Sequence, residues 1–263
     1  MSTDIIPGRP SSPELSALAK ALSALRLERA AEALPGLISA AVKDEISAPA
    51  FLERILATEL IGREESRIKT SLRLSGLPLG QTIANFDFAF QPAIERSRIE
   101  ALATSAWVRG KQTLLLLGPP GVGKTHLSVA LGVKAVESGF SVAYFRIEEL
   151  LHVLRQDAHT PPAHLRRRKY MNVALIIVDE VGFEPFSRED ANLFFRLVSY
   201  RYQRGAICIT TNKAIQDWPG MLAGDEVITS AILDRLLHAS HVLNIKGRSY
   251  RLRDLEASLH ARG

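Results

Sequence analysis

Residues 111–128, KQTLLLLGPPGVGKTHLS, decide the fold of this chain. The four consecutive leucines predict a strand buried on both faces, and the segment that begins at Lys124 predicts a helix. Between them, residues 118–125, GPPGVGKT, match the phosphate-loop pattern G-x-x-x-x-G-K-[ST]. Glycines let such a loop turn its backbone N–H groups toward an anion, which the positive end of the helix also attracts. The stretch therefore predicts a site for the phosphates of a nucleotide.

The side chains of this loop predict how the phosphates are held. Lys124 offers a positive charge to the outer phosphates, and the Thr125 hydroxyl is a ligand for Mg²⁺. A Gly-Pro turn without a ligand is the alternative, and the strand before the loop and the helix after it argue against that alternative. The predicted nucleotide contacts are Gly118, Pro119, Pro120, Gly121, Val122, Gly123, Lys124, Thr125 and His126.

Two further predicted strands end in polar residues. Residues 175–182, LIIVDEVG, carry Asp179 and Glu180 after an apolar run, and residues 207–212, ICITTN, end in Asn212. Because ligands bind at the carboxyl ends of parallel strands, we expect these side chains at the phosphate site. Asp179 can hold Mg²⁺, Glu180 can activate a water for attack on the terminal phosphate, and Asn212 can hydrogen-bond that water or phosphate. An acidic turn and a capping asparagine are the structural alternatives.

The chain from residue 81 onward predicts an α/β fold. Short apolar runs alternate with amphipathic stretches, which is typical of a parallel sheet covered by helices on both sides. The predicted strands are 113–117, 141–145, 173–178, 206–210 and 241–245.

The first 80 residues predict a small, all-helical domain. Helical periodicity predicts one helix over 14–34, which Pro35-Gly36 ends, and a second helix over 48–74. The first dozen residues predict a loose tail. Glycine and proline within 76–80 then indicate a domain boundary at about residue 80. The predicted domains are 1–80 and 81–263.

Composition and charge narrow the class of protein. The chain is 46% hydrophobic and 23% charged, which is ordinary for a soluble globular protein. No apolar run approaches the roughly 20 residues of a membrane span, and no signal peptide is recognised, so we expect a cytoplasmic protein without a membrane partner. The single cysteine, Cys208, excludes an internal disulfide. The net charge of +5 is concentrated in residues 146–170 and 235–263, which favours a polyanionic partner.

These elements, in this order, resemble the AAA+ ATPases, and in particular the initiator and helicase-loader branch that includes DnaC. The run from about residue 26 to 255 resembles most closely the IstB-type transposition helper ATPases, which are encoded beside a transposase in one family of bacterial insertion sequences. The phosphate-loop phrase is generic, whereas the later phrases are specific. The matching phrases are FLERILATEL, FDF, LLLLGPPGVGKTHLSVALG, IIVDEVGFEPFSREDANLFFRLVSYRYQRGAICITTNKAIQDW and GDEVITSAILDRLLHASHVLNIKGRSYRLRDL.

The resemblance implies ATP and Mg²⁺ as cofactors of a P-loop AAA+ core. Asp179 and Glu180 then form the Walker B pair, and Asn212 is the first sensor. Arg235 lies on a predicted amphipathic helix, from which spacing alone lets it reach its own site, a neighbour's site or a structural carboxylate. The resemblance makes it an arginine finger that acts on the ATP of the next subunit. The implied catalytic residues are Lys124, Glu180, Asn212 and Arg235.

One departure from the wider AAA+ pattern concerns the end of the chain. Only 28 residues follow Arg235, so a full helical lid domain does not fit, and we expect the C-terminal lid to be absent or truncated. The second sensor arginine that such a lid carries is left open among Arg248, Arg251 and Arg253.

The resemblance also gives a meaning to residues 147–172, where the initiator branch carries a helical insertion that lines a DNA channel. Four consecutive cations within this segment suit sequence-independent contacts with phosphates. A solvated run of charges is the structural alternative. The predicted contacts with double-stranded DNA are Arg155, Arg166, Arg167, Arg168 and Lys169.

The resemblance therefore implies a DNA-binding ATPase that assists transposition. Its implied partners are duplex DNA, the cognate transposase and further copies of the chain, with ATP sites between subunits. With ATP it is expected to bend target DNA, and hydrolysis is expected to regulate the hand-over to the transposase. The nearest alternative is a DnaC-like replicative helicase loader. A small-molecule kinase and a nucleotide-controlled binding module are alternatives of other classes, although the polar strand ends favour hydrolysis.

Overall fold

The computed structural model describes residues 12–253, except for the side chains of residues 12, 162 and 163. Most of the predicted loose tail, and the last ten residues, lie outside the described part. The chain forms two compact units, Met1–Thr70 and Ser71–Gly263. This division lies inside a helix that continues to Ser75, and the predicted boundary at about residue 80 follows the end of that helix.

The described part of the first unit is helical. A small core is formed by Ala30, Leu34 and Ile55, with half-buried apolar side chains around it. The carboxylate of Glu59 is buried and accepts hydrogen bonds from the Ala30 N–H (3.1 Å) and from the Arg63 side chain (2.7 Å). The helices are α1 (Ser12–Ala24), α2 (Glu28–Lys43) and α3 (Ala48–Ser75).

The prediction of one helix over 14–34 is wrong, whereas the helix predicted over 48–74 is confirmed by α3. The first segment breaks at Arg26, whose φ of +59° is outside the right-handed helical region. Pro35 does not end a helix but lies within α2. Proline removes one helical hydrogen bond, and the packing of the α2 side chains against Ile55 outweighs that loss.

The second unit contains the predicted parallel sheet, so the α/β prediction is confirmed. Its spatial order is β2-β3-β4-β1-β5, and every neighbouring pair is parallel. Each predicted strand is present, with ends shifted by three residues or fewer. The described strands are β1 (Thr113–Leu117), β2 (Val142–Arg146), β3 (Leu175–Val181), β4 (Ala206–Thr211) and β5 (Ser240–Asn244).

Helices cover both faces of this sheet. Alternate residues of β3 point to opposite faces: Ile177 lies against Gly132 on one face, whereas Ile176 and Val178 belong to the hydrophobic core on the other. The helices are α4 (Arg96–Ala103), α5 (Ala106–Arg109), α6 (Lys124–Glu137), α7 (Ile147–Gln156), α8 (Pro162–Leu165), α9 (Lys169–Asn172), α10 (Arg188–Arg201), α11 (Trp218–Met221) and α12 (Glu226–Leu237), with a 3₁₀ turn at Ile215–Asp217. None of the helices within residues 12–253 has both the length and the apolarity of a membrane span.

The segment after β5 returns to the phosphate loop. The carbonyl of Ile245 lies so close to Gly118 that a side chain there would collide with it, and the Tyr250 N–H donates to the Gly121 carbonyl (2.9 Å). One helical turn begins at Tyr250, and the described residues end at Arg253. The prediction that the C-terminal lid is absent or truncated concerns residues that lie partly outside the described part.

Candidate nucleotide site

The phosphate loop joins the end of β1 to the start of α6. Gly123 has a φ of +95°, and a side chain at this position would meet the ring of Phe86. Glycine is therefore required both by the left-handed backbone and by the close approach of an aromatic side chain. This turn points the N-terminal end of the 14-residue helix α6 into the cavity described below.

Lys124 is buried at the first position of α6, with 7% of its surface exposed. Its ammonium group donates to the carbonyls of Gly118 (2.7 Å) and Pro119 (2.8 Å) and to the Asn212 side-chain oxygen (2.7 Å). Burial lowers the pKa of Lys124 to about 8; the charge of Asp179 opposes this effect, and the charge of Arg251 adds to it. The structure thus brings the loop lysine and the predicted sensor asparagine into direct contact.

Asp179 lies at the carboxyl end of β3 and is 2% exposed. The Thr125 hydroxyl donates to its carboxylate at 3.0 Å from both oxygens, and the Tyr144 hydroxyl donates at 2.7 Å to Oδ2. The Thr210 hydroxyl donates to Oδ1. Burial raises the pKa of Tyr144, and the neighbouring Asp179 carboxylate raises it further.

These oxygens fit a magnesium ion. Mg²⁺ prefers hard oxygen ligands, and in nucleotide sites it takes only one or two protein ligands because phosphates and waters supply the rest. The Thr125 hydroxyl and the Asp179 carboxylate form such a pair beside the phosphate loop. No cluster of three His, Cys, Asp or Glu side chains that could hold a metal unaided occurs within residues 12–253.

Glu180 is exposed to the same cavity and has an unusual backbone. Its φ is +62°, and the ladder between β3 and β4 is irregular between Val178 and Val181. A left-handed conformation costs a residue other than glycine about 1–2 kcal/mol. The Thr210 hydroxyl accepts a hydrogen bond from the Glu180 N–H at 2.9 Å and so stabilises the bulge. The bulge lets two adjacent residues, Asp179 and Glu180, both face the nucleotide site.

Six of the nine predicted nucleotide contacts, together with Asp179, Glu180 and Asn212, line one cavity of about 590 Å³. The other three predicted contacts, Gly118, Pro119 and Val122, are not part of its lining. Its walls include side chains that the sequence analysis did not single out, from β2, from the segment before α4 and from the segment after β5. The cavity is lined by Pro78, Gln81, Asn85, Phe86, Asp87, Pro120, Gly121, Gly123, Lys124, Thr125, His126, Tyr144, Arg146, Asp179, Glu180, Phe183, Thr210, Asn212, Tyr250, Arg251 and Arg253.

His126 holds a neighbouring loop. Its Nε2 lies 2.8 Å from the Thr82 carbonyl and 3.0 Å from the Asn85 side-chain oxygen, and because both partners are acceptors, Nε2 carries the proton. Its ring also packs on Phe86, with 5.2 Å between ring centres. The predicted nucleotide contact His126 therefore lines the cavity, and its Nε2 is already hydrogen-bonded to Thr82 and Asn85.

Two of the three arginines left open by the sequence line the cavity, namely Arg251 and Arg253. Arg253 is paired with Asp87 at 3.0 Å and lies over the ring of Phe90. Arg251 instead faces Lys124 closely enough for its charge to contribute to the lowered pKa. Arg248 is exposed, and its carbonyl accepts a hydrogen bond from Gln91 at 2.6 Å.

A family model described as IstB-like ATP binding protein matches residues 20–258. The chain belongs to this family. Membership of this family, together with the phosphate loop, makes the protein an ATPase, as predicted.

Curated relatives of this IstB-like protein are named after insertion sequences. It is 41% identical over 233 residues to the ATP-binding protein of insertion sequence IS21 from Pseudomonas aeruginosa. This alignment covers 89% of this chain and 88% of the relative. It is 35% identical over 230 residues to the corresponding protein of IS5376 from Geobacillus stearothermophilus, which covers 88% and 91%.

Solved structures with the same fold are replication proteins. A DNA replication initiation factor superposes with a TM-score of 0.54 at 18% identity, over 71% of this chain and 56% of that chain. The initiator DnaA bound to AMPPCP and single-stranded DNA gives a TM-score of 0.53 at 19% identity, with the same coverage. These likenesses confirm the AAA+ fold of the IstB-like protein.

Arg235 of this IstB-like protein lies away from its own nucleotide cavity. Its side chain is half-buried on α12, donates to the Ala231 carbonyl (2.7 Å) and lies over the ring of Phe195 (5.1 Å to the centroid). The last turn of α12 leads directly into β5, so Arg235 lies near the amino ends of the strands. The nucleotide cavity lies at the carboxyl ends, which is the opposite edge of the same sheet.

The five predicted DNA contacts lie in different environments. Arg155 forms a two-point ion pair with the buried Asp190 (2.7 and 3.0 Å), and Arg168 pairs with the buried Asp157 (2.5 Å). The Lys169 ammonium donates to the Leu74 carbonyl, and burial lowers the pKa of Lys169. The two remaining side chains, of Arg166 and Arg167, are exposed.

Proposed function

We propose that this protein is the ATP-dependent, DNA-binding helper of an insertion-sequence transposase. Membership of the IstB-like family, with relatives named after insertion sequences, carries this proposal. Subunits assemble on duplex DNA with ATP, bend and select the target, and release it to the transposase when ATP is hydrolysed. Bending a short duplex costs about 1–6 kcal/mol by elastic estimates, and phosphate contacts from several subunits offset that cost.

The groups proposed to perform hydrolysis lie at the start of α6 and at the carboxyl ends of two neighbouring strands, β3 and β4. Thr125 and Asp179 would hold Mg²⁺, which would supply positive charge beside the phosphates. Lys124 holds the outer phosphates through its ammonium group, and Asn212 orients the attacking water beside it. Glu180 accepts a hydrogen bond from that water and takes its proton as the oxygen attacks phosphorus. The bulge at Glu180 supports this role because it turns the carboxylate into the cavity.

We propose that the site is completed by Arg235 of a neighbouring copy. This proposal is supported by the position of Arg235, which lies at the edge of the sheet opposite the cavity of its own chain. Within the cavity of the same chain, Arg251 is the candidate for contact with the phosphates, because Arg253 is already paired with Asp87. An arginine supplied in trans stabilises the charge that develops during phosphoryl transfer.

The shared site predicts complementation between two inactive variants. Arg235→Ala keeps an intact phosphate loop, and Lys124→Ala keeps an intact finger, so each alone is expected to hydrolyse ATP at least about 100-fold more slowly than wild type. Mixed subunits contain some sites with Lys124 on one side and Arg235 on the other. We expect the mixture to regain ATPase activity in a phosphate-release assay. If the mixture stays as inactive as its components, the finger acts within one chain.

The exposed pair Arg166 and Arg167 is the best candidate for contact with DNA. Arg155 and Arg168 are engaged by buried carboxylates, and Lys169 by a backbone carbonyl, so these three side chains position the segment. Two exposed guanidinium groups next to one another suit adjacent phosphates, and such contacts depend on salt but not on base sequence.

We therefore expect Arg166→Ala/Arg167→Ala to weaken binding to duplex DNA and to flatten its salt dependence. Losing two phosphate contacts lowers the slope of log K against log salt by roughly 1.8. Fluorescence anisotropy with a labelled duplex at several salt concentrations measures this slope. The control is Arg109→Ala/Lys134→Ala, which removes the same charge elsewhere. Equal slopes for the two double variants would show that Arg166 and Arg167 do not contact DNA.

The same assay separates this proposal from a helicase loader. A transposition helper is expected to prefer duplex over single-stranded DNA, whereas a loader prefers the single strand. ATPase activity stimulated by duplex supports the helper, and phosphorylation of an added metabolite would instead indicate a kinase.

The first unit is the candidate for contact with the transposase and for pairing of subunits. Leu52, Leu56 and Leu60 follow one another at four-residue spacing on α3 and are 55%, 46% and 66% exposed. A row of exposed leucines on one helix face is typical of a protein-binding surface.

A further inference from the structure

We propose that Tyr144 is a positioning residue that fixes the Asp179 carboxylate and thereby sets how tightly the site holds Mg²⁺. The inference rests on the proposed ion site of Thr125 and Asp179. The Tyr144 hydroxyl donates to Asp179 Oδ2 at 2.7 Å, and the Thr210 hydroxyl donates to Oδ1. Each carboxylate oxygen is therefore tied to a different neighbouring strand.

The sheet order makes this arrangement possible. β3, which carries Asp179, lies between β2 and β4, so one neighbour contributes Tyr144 and the other contributes Thr210. Tyr144 is two residues before Arg146, the register partner of Asp179. Side chains two residues apart share a face of the sheet, so the long phenol side chain runs along β2 to reach the carboxylate.

Fixing the carboxylate matters because its terminal torsion is soft. Rotation about the bond to an Asp carboxylate has broad energy wells, so packing and hydrogen bonds decide its orientation. Mg²⁺ demands near-octahedral geometry at short distances and tolerates misdirected ligands poorly. With Tyr144 and Thr210 holding the carboxylate, its remaining lone pairs face Thr125 and the phosphate loop. Groups that hold a metal ligand in this way commonly contribute 10–100-fold to metal affinity.

The test is Tyr144→Phe in the full chain, which removes the hydroxyl and keeps the ring. A fluorescent ATP analogue is titrated with Mg²⁺, and its binding is measured separately in EDTA. We expect the Mg²⁺ midpoint to rise about tenfold or more, whereas binding in EDTA stays at the wild-type level. Tyr202→Phe is the matched control, because Tyr202 packs on His238 outside the cavity lining. Thr210→Val removes the second donor and is expected to raise the midpoint as well.

The possible outcomes distinguish failure of the proposed role of Tyr144 from failure of the proposed Mg²⁺ site. An unchanged or lower Mg²⁺ midpoint in Tyr144→Phe, together with loss of Mg²⁺ dependence in Asp179→Ala, would overturn the role of Tyr144 alone. Normal Mg²⁺ dependence in Asp179→Ala would overturn the proposed ion site itself. Should Tyr144→Phe lower the thermal midpoint of unfolding, the titration is made well below that midpoint, where the variant is folded and its Mg²⁺ midpoint still decides.

Discussion

Glu180→Gln is expected to lower the rate of ATP hydrolysis at least about 100-fold while leaving ATP binding intact. The amide keeps the size of the side chain but accepts no proton from the attacking water. The groups proposed to hold the phosphates and Mg²⁺, Lys124 and Thr125, make no hydrogen bond to the Glu180 side chain in the described structure. Loss of turnover with retained binding is therefore the signature of a general base.

Phosphate release under saturating ATP measures the rate, and a fluorescent ATP analogue measures the affinity. Glu184→Gln is the matched control, since Glu184 lies four residues further along, is exposed and is absent from the cavity lining. A Glu180→Gln rate within tenfold of wild type, about 1.4 kcal/mol of barrier, would remove Glu180 from the mechanism.

Arg201→Ala is expected to destabilise the second unit by about 3 kcal/mol or more. Arg201 is 1% exposed, and none of its hydrogen bonds in the described part of the chain goes to a carboxylate. Its guanidinium instead donates to a ring of backbone carbonyls that joins the end of α9 to the starts of β3 and β4. Burial lowers the pKa of Arg201 to about 10. The acceptors are the carbonyls of Tyr170, Met171, Val173, Ala174 and Ala206.

Removing the side chain leaves a large cavity and deprives buried carbonyls of their donor, and both effects favour unfolding. For a domain of this size, a loss of about 3 kcal/mol lowers the thermal midpoint by roughly 6–12 °C. Calorimetry or circular dichroism measures the shift. Arg204→Ala is the control, because Arg204 is exposed, and it is expected to stay within about 0.5 kcal/mol of wild type. Equal midpoints for both variants would show that Arg201 does not stabilise the unit.

The sequence predicts the sheet well because each strand and its neighbouring loop are local patterns. The apolar run before Gly118 indicates a buried strand by itself, and the glycines that follow it indicate the tight turn of a phosphate loop. The first unit was harder to predict, since the end of α1 depends on a left-handed residue at Arg26, where no glycine marks the break. The prediction that Pro35 ends a helix was wrong because tertiary packing keeps α2 continuous through this residue.

Most of the predicted nucleotide contacts and all three predicted strand-end residues line one cavity, but the side chains that hold them in place could not be found from one sequence. Tyr144 and Thr210 are ordinary strand residues until the order of the strands places both beside Asp179. Likewise, the row of arginines after residue 165 shows charge but not its partners. Asp157 and Asp190, which engage Arg168 and Arg155, lie 11 and 35 residues away in the chain.

Arg235 and the phosphate loop lie at opposite edges of one sheet, so the two edges of the molecule are not equivalent. A contact that joins these two edges is head-to-tail, so assemblies built on it either close into rings or grow as open helices. If Arg235 acts in trans, as proposed above, the copy at one end of an open assembly lacks an arginine for its nucleotide. Turnover per copy is then smallest for short assemblies, rises with length and reaches its full value once a ring closes. Under this proposal, the rate of hydrolysis per copy would report the number of copies in one assembly.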